Sequence, residues 1–259
     1  MIKIRDLCKR FGKQQILSGL NLDISDGETI VILGPSGIGK SVLLKHIIGL
    51  LKPDAGSVEV NGVHITDLEG PKLYEAIHGM GMLFQGGALF DSMTVEENTA
   101  FYLHEHGKSD KGHRYTKQEI EERVTYALEL VGLAGTQKKM PSELSGGMRK
   151  RAALARAIVY RPKIMLYDEP TTGLDPITAM QINELIVKTK EELKATSIVV
   201  THDMFSALYV GDRLSLIRDG KIAHIAKPDD FLKIDDPLIK FLYNTISKDP
   251  RSFKENSHG

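Results

Sequence analysis

Cysteine occurs once, at Cys8, and neither sign of charge is in excess, with 34 lysines and arginines against 34 aspartates and glutamates in 259 residues. A lone thiol excludes an internal disulfide and fits a reducing compartment, with Cys8 expected as a small packed residue. The balanced charge excludes the broad basic field that accompanies nucleic-acid binding, so no nucleic-acid partner is expected. Long apolar runs are also missing. A membrane helix needs roughly 20 apolar residues, and the longest stretches, Thr29 to Leu33 and Ile198 to Val200, are of strand length. The start, Met1-Ile2-Lys3-Ile4-Arg5, has no basic, apolar and small-residue succession of a signal peptide. With 41% hydrophobic and 26% charged residues, the chain can bury one sizeable core with a smaller unit attached.

The pattern of what is present predicts an α/β fold. Strands are expected over Ile2 to Leu7, Gly19 to Ile24, Thr29 to Leu33 and Ser57 to Val60, with a helix from Lys40 to Leu50. From about Gln85 to Pro162 the text turns mainly helical, with a polar stretch from His104 to Lys117 and a periodic helix over Glu119 to Val131. Strands then return at Lys163 to Tyr167, Thr196 to Thr201, Arg213 to Arg218 and Lys221 to Ile225, around a helix over Ile177 to Leu193. Strand, helix, strand in that order implies parallel pairing through right-handed crossovers. The expected layout is a nucleotide-binding core with an antiparallel β flank (1–84 and 163–227), an inserted helical subdomain (85–162) and a helical tail (228–259).

Three segments carry chemistry. Gly34-Pro35-Ser36-Gly37-Ile38-Gly39-Lys40-Ser41, followed by Val42, matches the P-loop pattern between an apolar strand and a helix. Glycines let backbone N–H groups wrap a polyphosphate, and the helix N-terminus adds its positive end. Lys40 would neutralise the β and γ phosphates, and Ser41 would offer its hydroxyl to Mg²⁺. Second, Ile164-Met165-Leu166-Tyr167-Asp168-Glu169 is an apolar strand ending in two acids. Asp168 would hold the metal, and Glu169, on the opposite face, would polarise an attacking water. Third, Leu144-Ser145-Gly146-Gly147-Met148 opens an alanine-rich helix, a second site for a γ-phosphate or simply a helix cap. The basic run Arg149-Lys150-Arg151 is read as a solvated, salt-bridged helix face.

With these motifs the sequence resembles the ATP-binding cassette (ABC) family over nearly its whole length. The resemblance identifies Leu144 to Gly147 as the signature, Gln85 as the Q-loop residue, His202 as the switch histidine and Thr172-Gly173-Leu174-Asp175 as the D-loop. It implies that Phe11 stacks on adenine, that Gln85 senses Mg²⁺ and the membrane partner, and that Asp175 reaches toward a partner subunit. It further implies a homodimer in which each ATP lies between Lys40 of one chain and Ser145 of the other. Narrower similarity, in Gly34 to Lys45, Leu83 to Ser92 and Ser145 to Arg151, is to the ATPases of Mla or Mce phospholipid transporters, whose methionine at position 148 this chain shares. That likeness implies a multi-pass permease docked near Gln85 to Asp91, a small STAS-like accessory protein, a lipid-binding component, and a place on the cytoplasmic face of the inner membrane.

Other readings are weaker. A stand-alone ATPase acting on DNA or the ribosome would carry two cassettes, a coiled-coil insertion or zinc ligands, and none is present in the sequence. An inert regulatory cassette would not be expected to keep Lys40, Ser145, Asp168, Glu169 and His202 together. His104-Glu105-His106 with His113 lacks an enforced metal-ligand geometry. Ile120, Val124, Ala127, Leu128 and Val131 at helical spacing read as core. The tail residues Leu238, Ile239, Phe241 and Leu242 suit either the chain's own core or an accessory subunit.

Overall fold

The computed structural model describes residues 1–107 and 114–247. In chain order, β1 (Ile2–Phe11) and β2 (Gln14–Ile24) form a hairpin, and β3 (Thr29–Leu33) feeds α1 (Lys40–Ile47). Next come β4 (Ala55–Val60), β5 (Val63–His64), α2 (Gly70–Ile77) and β6 (Met80–Leu83). Three helices follow, α3 (Val95–His106), α4 (Lys117–Leu130) and α5 (Gly146–Ile158). The chain then runs through β7 (Ile164–Asp168), α6 (Pro176–Leu193), β8 (Thr196–Thr201), α7 (Met204–Val210), β9 (Arg213–Arg218) and β10 (Lys221–Ala226). It ends in α8 (Pro228–Phe231) and α9 (Pro237–Ser247).

Two sheets result. A six-stranded sheet has the order β10-β9-β3-β8-β7-β6, and a four-stranded sheet has the order β2-β1-β4-β5. Strands β9, β3, β8, β7 and β6 run parallel, as the strand-helix-strand order requires, while the smaller sheet is antiparallel. The central strands β3, β7 and β8 are buried on both faces, which is why they read as continuous apolar text rather than as alternation.

Alternation along those strands divides the core. Ile30, Ile32, Ile164, Leu166, Ile198 and Val200 face α1 and the antiparallel sheet. Val31, Leu33, Met165, Tyr167 and Val199 face a second cluster that includes α3, α4 and α5. Each fully buried aliphatic side chain contributes ~1.5–3 kcal/mol, so both clusters fasten the sheet firmly. Ile120, Val124, Ala127, Leu128 and Val131 are all buried in the second cluster.

Helix starts are set by caps. Thr94 with Glu97 and Thr116 with Glu119 form reciprocal capping boxes on α3 and α4. Ser145, Asp175 and Asp203 cap α5, α6 and α7, so three motif loops are also the points where helices begin.

β5, α2, β6 and α7 were not expected. β6 is only four residues long and contains Gly81, too short for a period to show. A Cβ on Gly81 would meet Met165 Sδ at 2.4 Å and the Ala157 carbonyl at 2.7 Å, so glycine is what lets the strand pack there. α2 is short and contains no fully buried residue, although Leu73, Ala76 and Ile77 on one face pack against the core. Of the tail helix, Ile239 and Leu242 enter the main core and Leu238 packs against it, whereas Phe241 is exposed.

Candidate functional site

The site lies at the sheet edge where the parallel strands β3 and β7, separated by β8, end. Pleating places Asp168 on the α1 side of the sheet, following Ile164 and Leu166. There Ser41 Oγ, in the first turn of α1, donates to Asp168 Oδ1 at 2.7 Å. Burial pushes the Asp168 carboxyl up, and adjacent Glu169 adds to this, while the Ser41 hydroxyl and the Lys45 and Lys40 charges pull it down.

Glu169 continues the ladder for one residue, donating its N–H to the Val200 carbonyl at 2.9 Å. Its φ of 47° is left-handed, uncommon for a residue with a Cβ, and swings the side chain toward the P-loop. The buried carboxylate has three partners. Oε1 lies 3.1 Å from Lys40 Nζ, and Oε2 lies 2.9 Å from His202 Nδ1 and accepts from Thr172 Oγ1 at 3.0 Å. Lys40 Nζ also donates to the Gly34 and Pro35 carbonyls at 2.6 and 3.0 Å. Gly37 and Gly39 take φ of 81° and 109°, values open to glycine, which turns the loop so that α1 starts at Lys40.

A cleft of about 230 Å³ gathers Ser36, Gly37, Gly39, Lys40, Ser41, Val42, Gln85, Glu169 and His202, together with Ile16 and Thr172. Ile38 turns the other way, toward the position a Cβ on Gly34 would occupy, where Ile217 also packs. Phe11 ends β1 with nearly half its surface exposed and with Lys9 Nζ 5.7 Å from its ring, so it is not a core aromatic.

Ser145, Gly146, Gly147 and Asp175 do not line this cleft. Ser145 accepts from the Met148 N–H at 3.3 Å, and its neighbour Gly146 is exposed. Gly147 is buried beneath Thr178, whose Cγ2 a Cβ would meet at 2.5 Å. Asp175 turns both carboxylate oxygens onto its own α6, accepting from the Ile177 and Thr178 N–H groups at 3.1 and 3.0 Å and from Thr178 Oγ1. These bonds hold its carboxyl below the usual range.

The ABC transporter family model matches residues 17–172. The chain belongs to the ABC transporter family. As an ABC transporter ATPase subunit it binds and hydrolyses ATP. The cassette is 42% identical over 243 residues to a Mycobacterium leprae protein named as a probable ribonucleotide transport ATP-binding protein, covering 94% of this chain and 68% of that one. It is 40% identical over 254 residues to the intermembrane phospholipid transport system ATP-binding protein MlaF of Haemophilus influenzae, covering 98% of this chain and 94% of that one. A sulfate/thiosulfate import ATP-binding protein of Bacillus cereus is 39% identical, covering 95% of this chain and 66% of that one. Among solved structures, the dimeric cassette MJ0796 bound to ADP and Pi superposes with a TM-score of 0.78 at 33% identity, covering 88% of this chain and 99% of that one. The cbiO1 protein of Clostridium perfringens superposes with a TM-score of 0.80 at 28% identity, covering 98% and 97%.

The cassette's structure corrects one reading and adds residues the sequence reading missed. Lys150 is not on a solvated face. It is 7% exposed, with its Nζ donating to the Gln85 carbonyl and, at 3.4 Å, to the Glu169 carbonyl. A helical stripe of buried positions, Gly147, Lys150, Leu154 and Ala157, was the signal that could have placed it inside. Thr172, read only as part of the D-loop, also bonds Glu169.

Beyond the cleft, the segment after β6 borders an apolar groove of about 460 Å³ lined by Ile48, Met80, Met82, Phe84, Phe90 and Phe101, with Arg156 beside them. Arg156 donates to the Gly87 and Ala88 carbonyls at 3.0 and 2.6 Å, and buried Asn98 exchanges hydrogen bonds with Phe90. His104 and His106 lie in the last turn of α3, with the His106 ring beside Tyr74 and Tyr102. His113 lies outside the described residues.

Proposed function

We propose that the cassette works as a homodimer in which each ATP is held by Lys40 and the P-loop of one chain and by Ser145, Gly146 and Gly147 of the other, driving a membrane permease that moves phospholipid. The observation that carries the reading is the convergence of Lys40, Ser41, Glu169, Gln85 and His202 on one cleft that contains no signature residue of the same chain, with Asp168 bonded to Ser41 at its edge. A second chain would complete it, and the exposed Ser145 hydroxyl at a helix start suits a γ-phosphate.

Phosphate oxygens would take over the Lys40 ammonium from its carbonyl and carboxylate partners, freeing Glu169. Oriented by His202 and Thr172, Glu169 would accept a proton from the water that attacks the γ-phosphorus. His202 would then steady the charge that develops on the γ-phosphate. Phe11, exposed at the end of β1, would stack on adenine. The hard oxygen donors Ser41 Oγ and Asp168 Oδ1, already within contact of one another, fit Mg²⁺, with Gln85 as a further ligand. Bound there, the ion would supply neutralisation of phosphate charge. Asp175 would reach the partner only by leaving its cap on α6.

A permease helix is placed in the apolar groove beside Gln85 to Asp91, whose backbone Arg156 and Asn98 fix. Segment 85–162 is taken as a signature-bearing unit, 1–84 with 163–227 as the nucleotide-binding unit and 228–259 as the tail. Exposed Phe205 and Tyr209 on α7 and Phe241 on α9 are assigned to a STAS-like accessory protein. No helix among the described residues is long and apolar enough to cross a membrane, which suits a peripheral subunit on the cytoplasmic face of the inner membrane. Phospholipid as cargo, and a lipid-binding component in the complex, rest on the likeness to MlaF over nearly the whole of both chains.

The test is to isolate the tagged chain with its membrane partner and measure ATP-driven transfer between vesicles. Phospholipid movement lost in Lys40→Ala supports the reading; ATP-dependent uptake of sulfate or a ribonucleotide without lipid movement overturns the cargo.

A further inference from the structure

We propose that Lys150 is a positioning residue that couples the two ATP sites of the dimer by fastening its own chain's Gln85 and Glu169 backbone to the helix whose cap, Ser145, meets the partner's ATP. The inference rests on the shared-site reading above and adds a role for a residue which that reading does not use. Lys150 follows Ser145 by five positions on α5, ~7.5 Å along the axis and ~140° around it. One end of a single rigid helix thus faces the partner's nucleotide, and the next turns face the chain's own site.

A lysine in this position needs an explanation. Its neighbours on the buried stripe, Gly147, Leu154 and Ala157, carry no polar side chain, and a leucine or methionine would fill the same space without desolvating a charge. Burial does depress the Lys150 ammonium, and the nearby Asp168 and Glu169 charges push the other way. What the cation gains is two carbonyl acceptors that belong to two different motifs, through charge-assisted hydrogen bonds. Arg156, farther along α5, holds the Gly87 and Ala88 carbonyls. The helix therefore carries the Gln85 to Ala88 backbone with it, and Lys150 extends that grip to Glu169. Glu169 is also the residue held at a left-handed φ, where a small shift of its carbonyl re-aims the carboxylate. Docking of Ser145 on the partner's γ-phosphate would then be felt at Gln85 and Glu169 of the chain that supplies the serine.

The test compares steady-state ATP turnover of the full chain, across ATP concentrations, for the wild type, Lys150→Met and Lys150→Arg, with ATP-dependent dimerisation of Lys150→Met in a Glu169→Gln background. The expected result for Lys150→Met is a ~10–100-fold lower kcat with KM within ~3-fold, an intact ATP-trapped dimer and a Hill coefficient reduced to about one. Lys150→Arg, which keeps a cation within reach of both carbonyls, should recover most of kcat and the cooperativity. If Lys150→Met does not fold, Lys150→Gln takes its place, its amide able to hold one carbonyl, with a smaller loss of the same kind. A kcat within ~3-fold of wild type with unchanged cooperativity, or a loss that merely tracks the folded fraction by melting temperature, overturns the inference. A wild-type chain that does not turn over ATP, or a Lys40→Ala chain as active as wild type, overturns the shared-site reading and the inference with it.

Discussion

Replacing Glu169 by glutamine keeps the shape of the side chain and its hydrogen bond from Thr172 Oγ1, but removes the charge that faces Lys40 at 3.1 Å and His202 at 2.9 Å. A positioned general base is worth ~10²–10⁴ in rate, or about 3–5 kcal/mol of barrier. Turnover of Glu169→Gln should fall by that factor while the KM for ATP stays close to the wild-type value, because Lys40 and the P-loop are untouched. Without nucleotide the variant should also melt at a lower temperature. A stranded buried charge costs ~3–5 kcal/mol, and the loss here should lie below that because Lys40 retains the Gly34 and Pro35 carbonyls. Phosphate release, nucleotide retention after gel filtration and thermal melts with and without ATP read these effects separately. Turnover within ~3-fold of wild type in a folded variant would refute the assignment of Glu169 as the base.

Asp236 caps α9 while gripping Arg218 at 2.6 and 2.7 Å and His224 at 3.0 Å, and the Arg218 guanidinium holds its carboxyl down at about 2, below its ordinary 3.8. Its stabilisation is therefore complete above that ordinary value and lost as pH falls through about 2, so the melting-temperature gap between wild type and Asp236→Asn should be full at neutral pH and close across that acid range. A gap that persists at the acid end would count against the cap as the anchor of the tail helix. Phe11→Ala should raise the KM for ATP by ~5-fold, the equivalent of about 1 kcal/mol of lost stacking, with kcat unchanged; an unchanged KM would remove Phe11 from the adenine site.

Much of the fold could be read from the chain because its central strands are buried on both faces. Thr29–Leu33, Thr196–Thr201 and Arg213–Arg218 appear at their expected limits. The antiparallel hairpin runs longer than expected, β1 to Phe11 and β2 from Gln14, since its outer ends carry polar residues that hide the strand period. β6 was hidden by brevity and by Gly81, whose reason for being there is contact with Met165 and Ala157, partners remote in sequence. The residues that gather around the cleft were legible because glycines, a lysine and paired acids have few other uses at that spacing. Lys150 was hidden by its neighbours, as Arg149 and Arg151 made a basic run of it although its helical position is that of a core residue. Asp175 was expected to point outward, but capping its own helix uses the same short acidic side chain. Cargo left no trace of this kind, and the relatives' names, which mention ribonucleotides, phospholipid and sulfate, differ where the site chemistry would not.

The shared site is tested most directly by mixing two disabled chains. In the Glu169→Gln background, Lys40→Ala lacks the phosphate-binding lysine and Ser145→Arg blocks the signature, so each alone should elute from gel filtration with ATP as an empty monomer. Mixed together, the intact Lys40 of one chain and the intact Ser145 of the other form one whole site, and the account predicts a dimer that retains about one ATP. A mixture that stays monomeric and empty, or a Ser145→Arg chain that traps ATP as well as its parent, would contradict it.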